Sequence, residues 1–235
     1  MVLSAVLFDL DGTLLDIDLD DFFDDYFATL GPVVAQMIGE PPGSDLGLAA
    51  VIDGTRAMGM PHPGQTNQEV FNARFCEVTG VDLGLEHHAQ TLERFYAEVF
   101  PGLQGPIKPH AGARKAVTTA LELGLKVAIA TNPIFPRAAI DERMRWACIS
   151  DLPVALVTSY EIMHAAKPLL AYYTEAASLL DVPPSAALMV GDDRVLDMTA
   201  ADVGMRTFYV GPGVVPATDW SGTLEELVRL LPRLT

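Results

Sequence analysis

The chain has few basic residues: 15 Lys and Arg stand against 31 Asp and Glu, a formal charge of −16. Nucleic acid and anionic membrane surfaces are bound through clusters of Lys and Arg, so neither is an expected partner. No run approaches the length of a membrane span, and the first apolar stretch lacks a basic leader and is cut by Asp9, unlike a signal peptide. A cytoplasmic protein is expected. Cysteine is scarce, with only Cys76 and Cys148, far apart and without CxxC spacing. That excludes a disulfide scaffold or a zinc site and predicts two ordinary buried thiols in a reducing compartment.

What the chain has is apolar residues, half of its 235, enough for a sizeable core. Val2 to Thr13 reads VLSAVLFDLDGT: an apolar run without helical spacing, stopped by Asp9 and followed by Asp11, Gly12 and Thr13. This predicts a buried strand over Val2–Phe8 ending in a turn. Gly12 lets the turn bring Asp9 and Asp11 to a common point above the strand tip. Two carboxylates so close repel, so either one is protonated or a hard cation such as Mg²⁺ sits between them. A helix-capping Asp followed by a turn Asp-Gly is the bland alternative for so short a motif.

The acidic run Asp16 to Asp25 opens as DxDxD but has Asp21 where a calcium loop needs Gly and Phe27 where it needs Glu. It reads instead as the Asp-rich first turn of a helix. Helical patterns follow over Asp18–Ile38, Asp45–Met58, Thr66–Thr79 and Leu83–Phe100, parted by breaks at Gly39–Gly43 and Met60–Gly64. No strand is evident among them, and Pro101–Pro109 reads as a return linker. From Ala111 helices alternate with strands: helix Ala111–Leu123, strand Leu125–Ala130, helix Pro133–Trp146, strand Ala155–Thr158, helix Pro168–Leu180. Strand Ala186–Val190, helix Val195–Val203, strand Arg206–Val210 and helix Leu224–Leu231 complete the series. Such alternation means an α/β protein with a Rossmann-like, doubly wound parallel sheet. The first strand must join that sheet across the helical stretch. The expected organisation is a core of residues 1–14 and 108–235 with an inserted all-helical cap of residues 15–107.

Ligands of such sheets bind at the carboxyl ends of the strands. There the sequence places Asp9 and Asp11, then Thr131-Asn132, then Gly191-Asp192-Asp193 with Asp197 a helical turn on, and Lys167 at the mouth of the helix before that last strand. Seen singly, Thr131-Asn132 reads as a helix cap and Lys167 as a surface residue.

In order along the chain, DLDGT, ATN, KP and GDDRVLD resemble the motifs of the haloacid dehalogenase superfamily, phosphatase branch, with a type 1 helical cap and similar to phosphoglycolate phosphatase-like members. The resemblance covers residues 2 to about 210. It implies hydrolysis of a small phosphorylated metabolite, with Asp9 as nucleophile giving an aspartyl-phosphate and Asp11 as acid and base. It implies Mg²⁺ held by Asp9, the Asp11 backbone carbonyl and Asp192, with Asp193 or Asp197 orienting the metal's waters. Thr131 and Asn132 would donate to phosphoryl oxygens, and Lys167 would balance the charge of nucleophile and phosphate.

A receiver domain takes its acids, Thr and Lys in a different order. A dehalogenase of the same superfamily would lack Asp11, and an imine-forming phosphonate hydrolase needs a cap lysine, whereas the first lysine here is Lys108. A sugar phosphomutase uses the same acids and is the alternative enzyme; a non-catalytic binding protein on this fold is the alternative of another class. Arg56, Arg74 and Arg94 are candidates to grip an anion, though helical arginines are more often solvated or paired. The five histidines have no ligand spacing and carry no assignment. Phe22, Phe23 and Tyr26 are expected over Asp9, on a cap hinged at Leu14–Asp16 and Gly105–Pro109. Oligomeric state is not legible.

Overall fold

The computed structural model describes residues 2–41, 44–213 and 218–235. The first strand, β1 (Ala5–Phe8), shows no polar alternation because both of its faces are covered. Val6 and Phe8 join the apolar cluster on one side of the sheet, Ala5 and Leu7 the cluster on the other.

Two strands follow at the junctions of the helical stretch, β2 (Leu15–Asp16) and β3 (Lys108–Pro109). Then come β4 (Lys126–Ile129), β5 (Leu156–Val157), β6 (Ala187–Gly191), β7 (Arg206–Val210) and β8 (Trp220–Gly222). The main sheet is six-stranded and parallel in the order β5-β4-β1-β6-β7-β8. The chain winds outward from β1 through β4 to β5, then crosses back to β6 on the other side. The winding thus reverses around β1, so the carboxyl ends of β1, β4 and β6 share one crevice. This is the expected α/β core.

Helices α1 (Leu19–Ile38), α2 (Leu46–Met58), α3 (Asn67–Thr79) and α4 (Glu86–Arg94) lie between β2 and β3. The later helices are α5 (Ala113–Glu122), α6 (Arg137–Trp146), α7 (Leu170–Leu179) and α8 (Leu224–Leu230). Asp18 caps α1, its carboxylate accepting from the Asp20 and Asp21 N–H groups, which accounts for the acidic run without a calcium loop.

The structure corrects several boundaries. The helix expected over Leu83–Phe100 is α4 followed by a π-turn at Phe95–Val99 and a 3₁₀ turn at Phe100–Gln104. The helix expected from Pro133 starts at Arg137, because two prolines keep Ile134 and Phe135 in a loop. The helix expected over Val195–Val203 is a 3₁₀ segment, Met198–Val203. Its start is delayed because the Asp193 carboxylate accepts from the N–H groups of Val195 and Leu196 at 2.7 and 2.8 Å, closing a turn instead. Strand β8 was not expected, and neither was β2, which pairs antiparallel with β3 so that the two linkers form one short ribbon. The break at Gly39–Gly43 falls partly outside the described residues.

Both cysteines are free, but Cys148 is exposed and Cys76 half-buried, so neither is the buried thiol expected. Cys148 follows α6 in the left-handed conformation, φ 56°, and that ends the helix and turns its side chain out. No helix among the described residues is long and apolar enough to cross a membrane.

The helical insertion meets the sheet domain through aromatic packing and one buried amide. Phe22 packs edge-on against Trp146 of α6 at 6.4 Å, and Phe100 stacks on the same indole at 5.4 Å. Asn67, fully buried at the start of α3, donates from Nδ2 to the carbonyls of Pro133 at 2.9 Å and Ala165 at 3.3 Å. Its Oδ1 meets His62 Nε2 at 2.7 Å, and its backbone N–H donates to the Met163 carbonyl at 2.8 Å. One side chain therefore ties the insertion to the two loops that carry Asn132 and Lys167. Asn67→Ala would leave two buried carbonyls short of a donor, a cost of about 1–3 kcal/mol. Thermal unfolding should show Tm lowered by roughly 2–4 °C for each of those kcal/mol; an unchanged Tm would mean that the amide is not a tie.

Candidate active site

The loop after β1 is built around Asp192, from the end of β6. Gly12 has φ +85°, and a Cβ there would lie 2.3 Å from Asp192 Oδ2, so only glycine fits. Thr13 Oγ1 donates to Asp192 Oδ1 at 2.8 Å. Gly191 serves the same purpose on the other side, since a Cβ there would lie 2.1 Å from Asp197 Oδ2. Two glycines thus let three acidic segments close on one another.

Asp9 is buried, and its Oδ1 accepts from Lys167 Nζ at 2.8 Å; the same ammonium reaches Asp197 Oδ1 at 2.6 Å. Asp197 Oδ2 accepts from the Asp193 N–H at 3.0 Å, so both of its oxygens are engaged. Asn132 Oδ1 accepts from the Lys167 N–H at 3.1 Å. The Thr131 carbonyl is held by the hydroxyls of Thr158 at 2.8 Å and Tyr172 at 3.0 Å. Asp9, Asp11, Thr131, Asn132, Lys167, Asp192, Asp193 and Asp197 all line one cleft of about 190 Å³. Every residue singled out at the strand ends is therefore at this cleft.

The insertion adds Leu19 and Phe23 to that wall. Phe22 is turned into the aromatic packing against Trp146, and Tyr26 lines a neighbouring apolar cavity, bonded through its hydroxyl to Tyr96 at 2.8 Å. Arg56, Arg74 and Arg94 are not in the cleft lining, and Arg74 is paired with Asp53 and Glu77 at 2.6 and 2.7 Å. The bland reading of those arginines is the right one.

Arg143 of α6 is the residue that sequence reasoning missed. It is 1% exposed, lines the cleft and donates from Nη1 to Asp11 Oδ2. A signal was present: Ile140, Arg143, Met144 and Ala147 fall at helical spacing on the buried stripe of α6, so the stripe contains one charge. Asn67 left no comparable trace.

Burial, then the charge of Asp9, raises the Asp192 carboxyl to about 6. Burial also raises Asp11 against the pull of Arg143, and raises Asp197 against the pull of Lys167. For Lys167 burial alone would lower the pKa, but Asp197 and Asp9 together hold it well above the ordinary value, so it is charged. The site is thus an excess of carboxylates that one lysine and one arginine do not neutralise.

Asp9, Asp192 and Asp197 each offer a carboxylate oxygen within 4.8 Å of the others. That all-oxygen set fits a hard divalent cation. With both oxygens of Asp197 taken, Asp9 and Asp192 are the pair better placed to bind it.

A carboxyl whose folded pKa exceeds its unfolded value is protonated to higher pH in the fold, so its stabilising contribution is lost as pH rises between the two. For Asp192 the window runs from the ordinary 3.8 to about 6, worth at most ~3 kcal/mol. In chelator, Tm should fall by several degrees between pH 4.5 and 7 on this account, roughly 2–4 °C per kcal/mol, and excess Mg²⁺ should flatten the fall. Superimposable curves with and without the cation would show that these acids do not form a cation site.

A family model described as haloacid dehalogenase-like hydrolase matches residues 3–203. Among curated proteins, haloacid dehalogenase-like hydrolase domain-containing protein 3 of Xenopus laevis is 36% identical over 128 residues. The match takes in 52% of this chain and 51% of that protein, so it spans about half the relative's length. Among solved structures, a HAD phosphatase from Thermococcus onnurineus superposes with TM-score 0.60 at 19% identity, covering 97% of this chain and 98% of its own. The L-2-haloacid dehalogenase of Xanthobacter autotrophicus, with chloropropionic acid covalently bound, gives TM-score 0.57 at 15% identity, covering 99% of this chain and all of its own, 100%. At such identities the two structures bear on the fold alone. The family match over residues 3–203, with the fold and the strand-end acids in agreement, makes this chain a member of the haloacid dehalogenase-like hydrolases.

Proposed function

We propose that the protein is a Mg²⁺-dependent phosphatase that hydrolyses a small phosphorylated metabolite through an aspartyl-phosphate on Asp9. The observation that carries this reading is the pairing of Asp9 with a charged, buried Lys167 at 2.8 Å, in a cleft that also holds a second acid two residues on. An Asp9 oxygen attacks phosphorus in line with the leaving oxygen, and the phosphorus–oxygen ester bond breaks as the new bond forms. Asp11 gives its proton to the leaving oxygen, then takes one from the water that attacks the aspartyl-phosphate. Lys167 neutralises Asp9 and the incoming phosphoryl group, and Thr131 with Asn132 cradles the phosphoryl oxygens. A bound Mg²⁺, held by Asp9, Asp192 and the Asp11 carbonyl, would supply charge neutralisation that the two cationic side chains do not complete.

Residues 15–107 act in this reading as a cap whose Leu19 and Phe23 face the substrate's leaving group. A cleft of about 190 Å³ suits a small molecule, and the net charge of −16 disfavours nucleic acid or membrane. The two free thiols suit the cytoplasm. Phosphate release from acetyl phosphate, required to depend on Mg²⁺ and to stop in excess chelator, tests the reaction. Chloride release from 2-chloropropionate without such turnover would make the protein a dehalogenase instead. Transfer of the phosphoryl group to a sugar rather than to water would make it a phosphomutase.

A further inference from the structure

We infer that Arg143 is a positioning residue that fixes the orientation of the Asp11 carboxyl group for proton transfer to the leaving group. The inference rests on the phosphatase reading. The guanidinium is held on three sides. Nη1 donates to Asp11 Oδ2, Nε donates at 3.4 Å to the Ala139 carbonyl one turn back in α6, and Cζ lies 4.4 Å from the centre of the Phe135 ring.

Packing gives no reason for an arginine there. Its neighbours on the stripe are Ile140, Met144 and Ala147, and a buried ion pair is often matched or bettered by apolar side chains of like volume. Nor is the guanidinium satisfied, since Nη2 is buried without a partner among the described residues. Its one strong contact is with the acid whose aim decides the chemistry. By holding Oδ2, Arg143 fixes the plane in which the Asp11 carboxyl group meets the cleft. In the forward step the bond between the proton and the Asp11 carboxyl group breaks as the proton moves to the leaving oxygen. The electron pair of the phosphorus–oxygen bond goes to the departing alcohol, and Asp9 closes on phosphorus.

The inference predicts a dependence on the leaving group that a structural arginine would not show. Acetate leaves acetyl phosphate without needing a proton, whereas phenoxide leaving phenyl phosphate gains from one. The ratio kcat/KM reads only formation of the phospho-enzyme, so it isolates this step. Relative to wild type, Arg143→Met should lower kcat/KM for phenyl phosphate on the order of 100-fold more than it lowers kcat/KM for acetyl phosphate. Arg143→Lys, which keeps the charge and protects against a failure to fold, should narrow that difference between the two substrates. An equal loss on both substrates, or none on either, in whichever variant folds, overturns the inference while wild-type turnover keeps the phosphatase reading. A wild-type protein inactive on both substrates with Mg²⁺ removes the phosphatase reading and the inference with it.

Discussion

Replacing Asp9 by Asn is expected to lower kcat on acetyl phosphate by roughly 10⁴-fold or more, with the fold intact and Tm unchanged or raised. An amide oxygen is a poor nucleophile and the phosphoryl adduct it would form is unstable, so the phospho-enzyme does not form on the substituted side chain. The fold survives because Asn is the same size and its oxygen can still accept from Lys167, as Asp9 Oδ1 does at 2.8 Å. Tm does not fall because Asp9 is itself a source of repulsion: its charge is the second cause of the raised Asp192 carboxyl. Asp11→Asn should differ in kind. With acetyl phosphate it should still form the phospho-enzyme and then hydrolyse it slowly, so that an acid-stable label accumulates on the protein. Retention by Asp9→Asn of more than a small fraction of wild-type turnover would place the nucleophile elsewhere.

The positions of Asp9, Thr131 and Asp192 at the cleft were legible because each closely follows or ends a strand. Apolar runs buried on both faces, such as Ala5–Phe8 and Ala187–Gly191, stand out in sequence, and what stops them stands at the crevice. Where structure depends on a local competition of hydrogen bonds, sequence said less. Asp193 spends its carboxylate on two backbone N–H groups and delays the helical segment after it to Met198. Strand β8 is three residues, Trp220–Gly222, formed against an existing edge, and has no apolar run of its own. Phe22 and Phe23 were indistinguishable until the fold turned one to Trp146 and the other to the cleft. Arg143 and Asn67 act across the fold on groups 132 and 66 residues away in sequence, a distance at which periodicity is silent.

Lys167→Met is expected to harm activity and stability together, which separates it from Asp9→Asn. The ammonium is 1% exposed and lies between two carboxylates, 2.8 Å from Asp9 and 2.6 Å from Asp197. Methionine nearly matches its volume, so the loss is electrostatic: two buried carboxylates are left with no cation between them. Breaking a buried pair in this way costs about 3–5 kcal/mol, and with a chain of this size Tm should drop by roughly 2–4 °C for each. Turnover should fall by about 10³-fold, the order seen when a group that stabilises transition-state charge is removed, because the nucleophile and the phosphoryl group would then meet without the ammonium that bonds Asp9. The damage to stability should shrink at low pH, where Asp197, already raised by burial, takes up a proton in place of the missing ammonium. Thermal unfolding of Lys167→Met at pH 5 and pH 8 checks this. A variant as stable as wild type at pH 8 would mean that the lysine does not hold the two acids together, and the charge balance assigned to this site would fail.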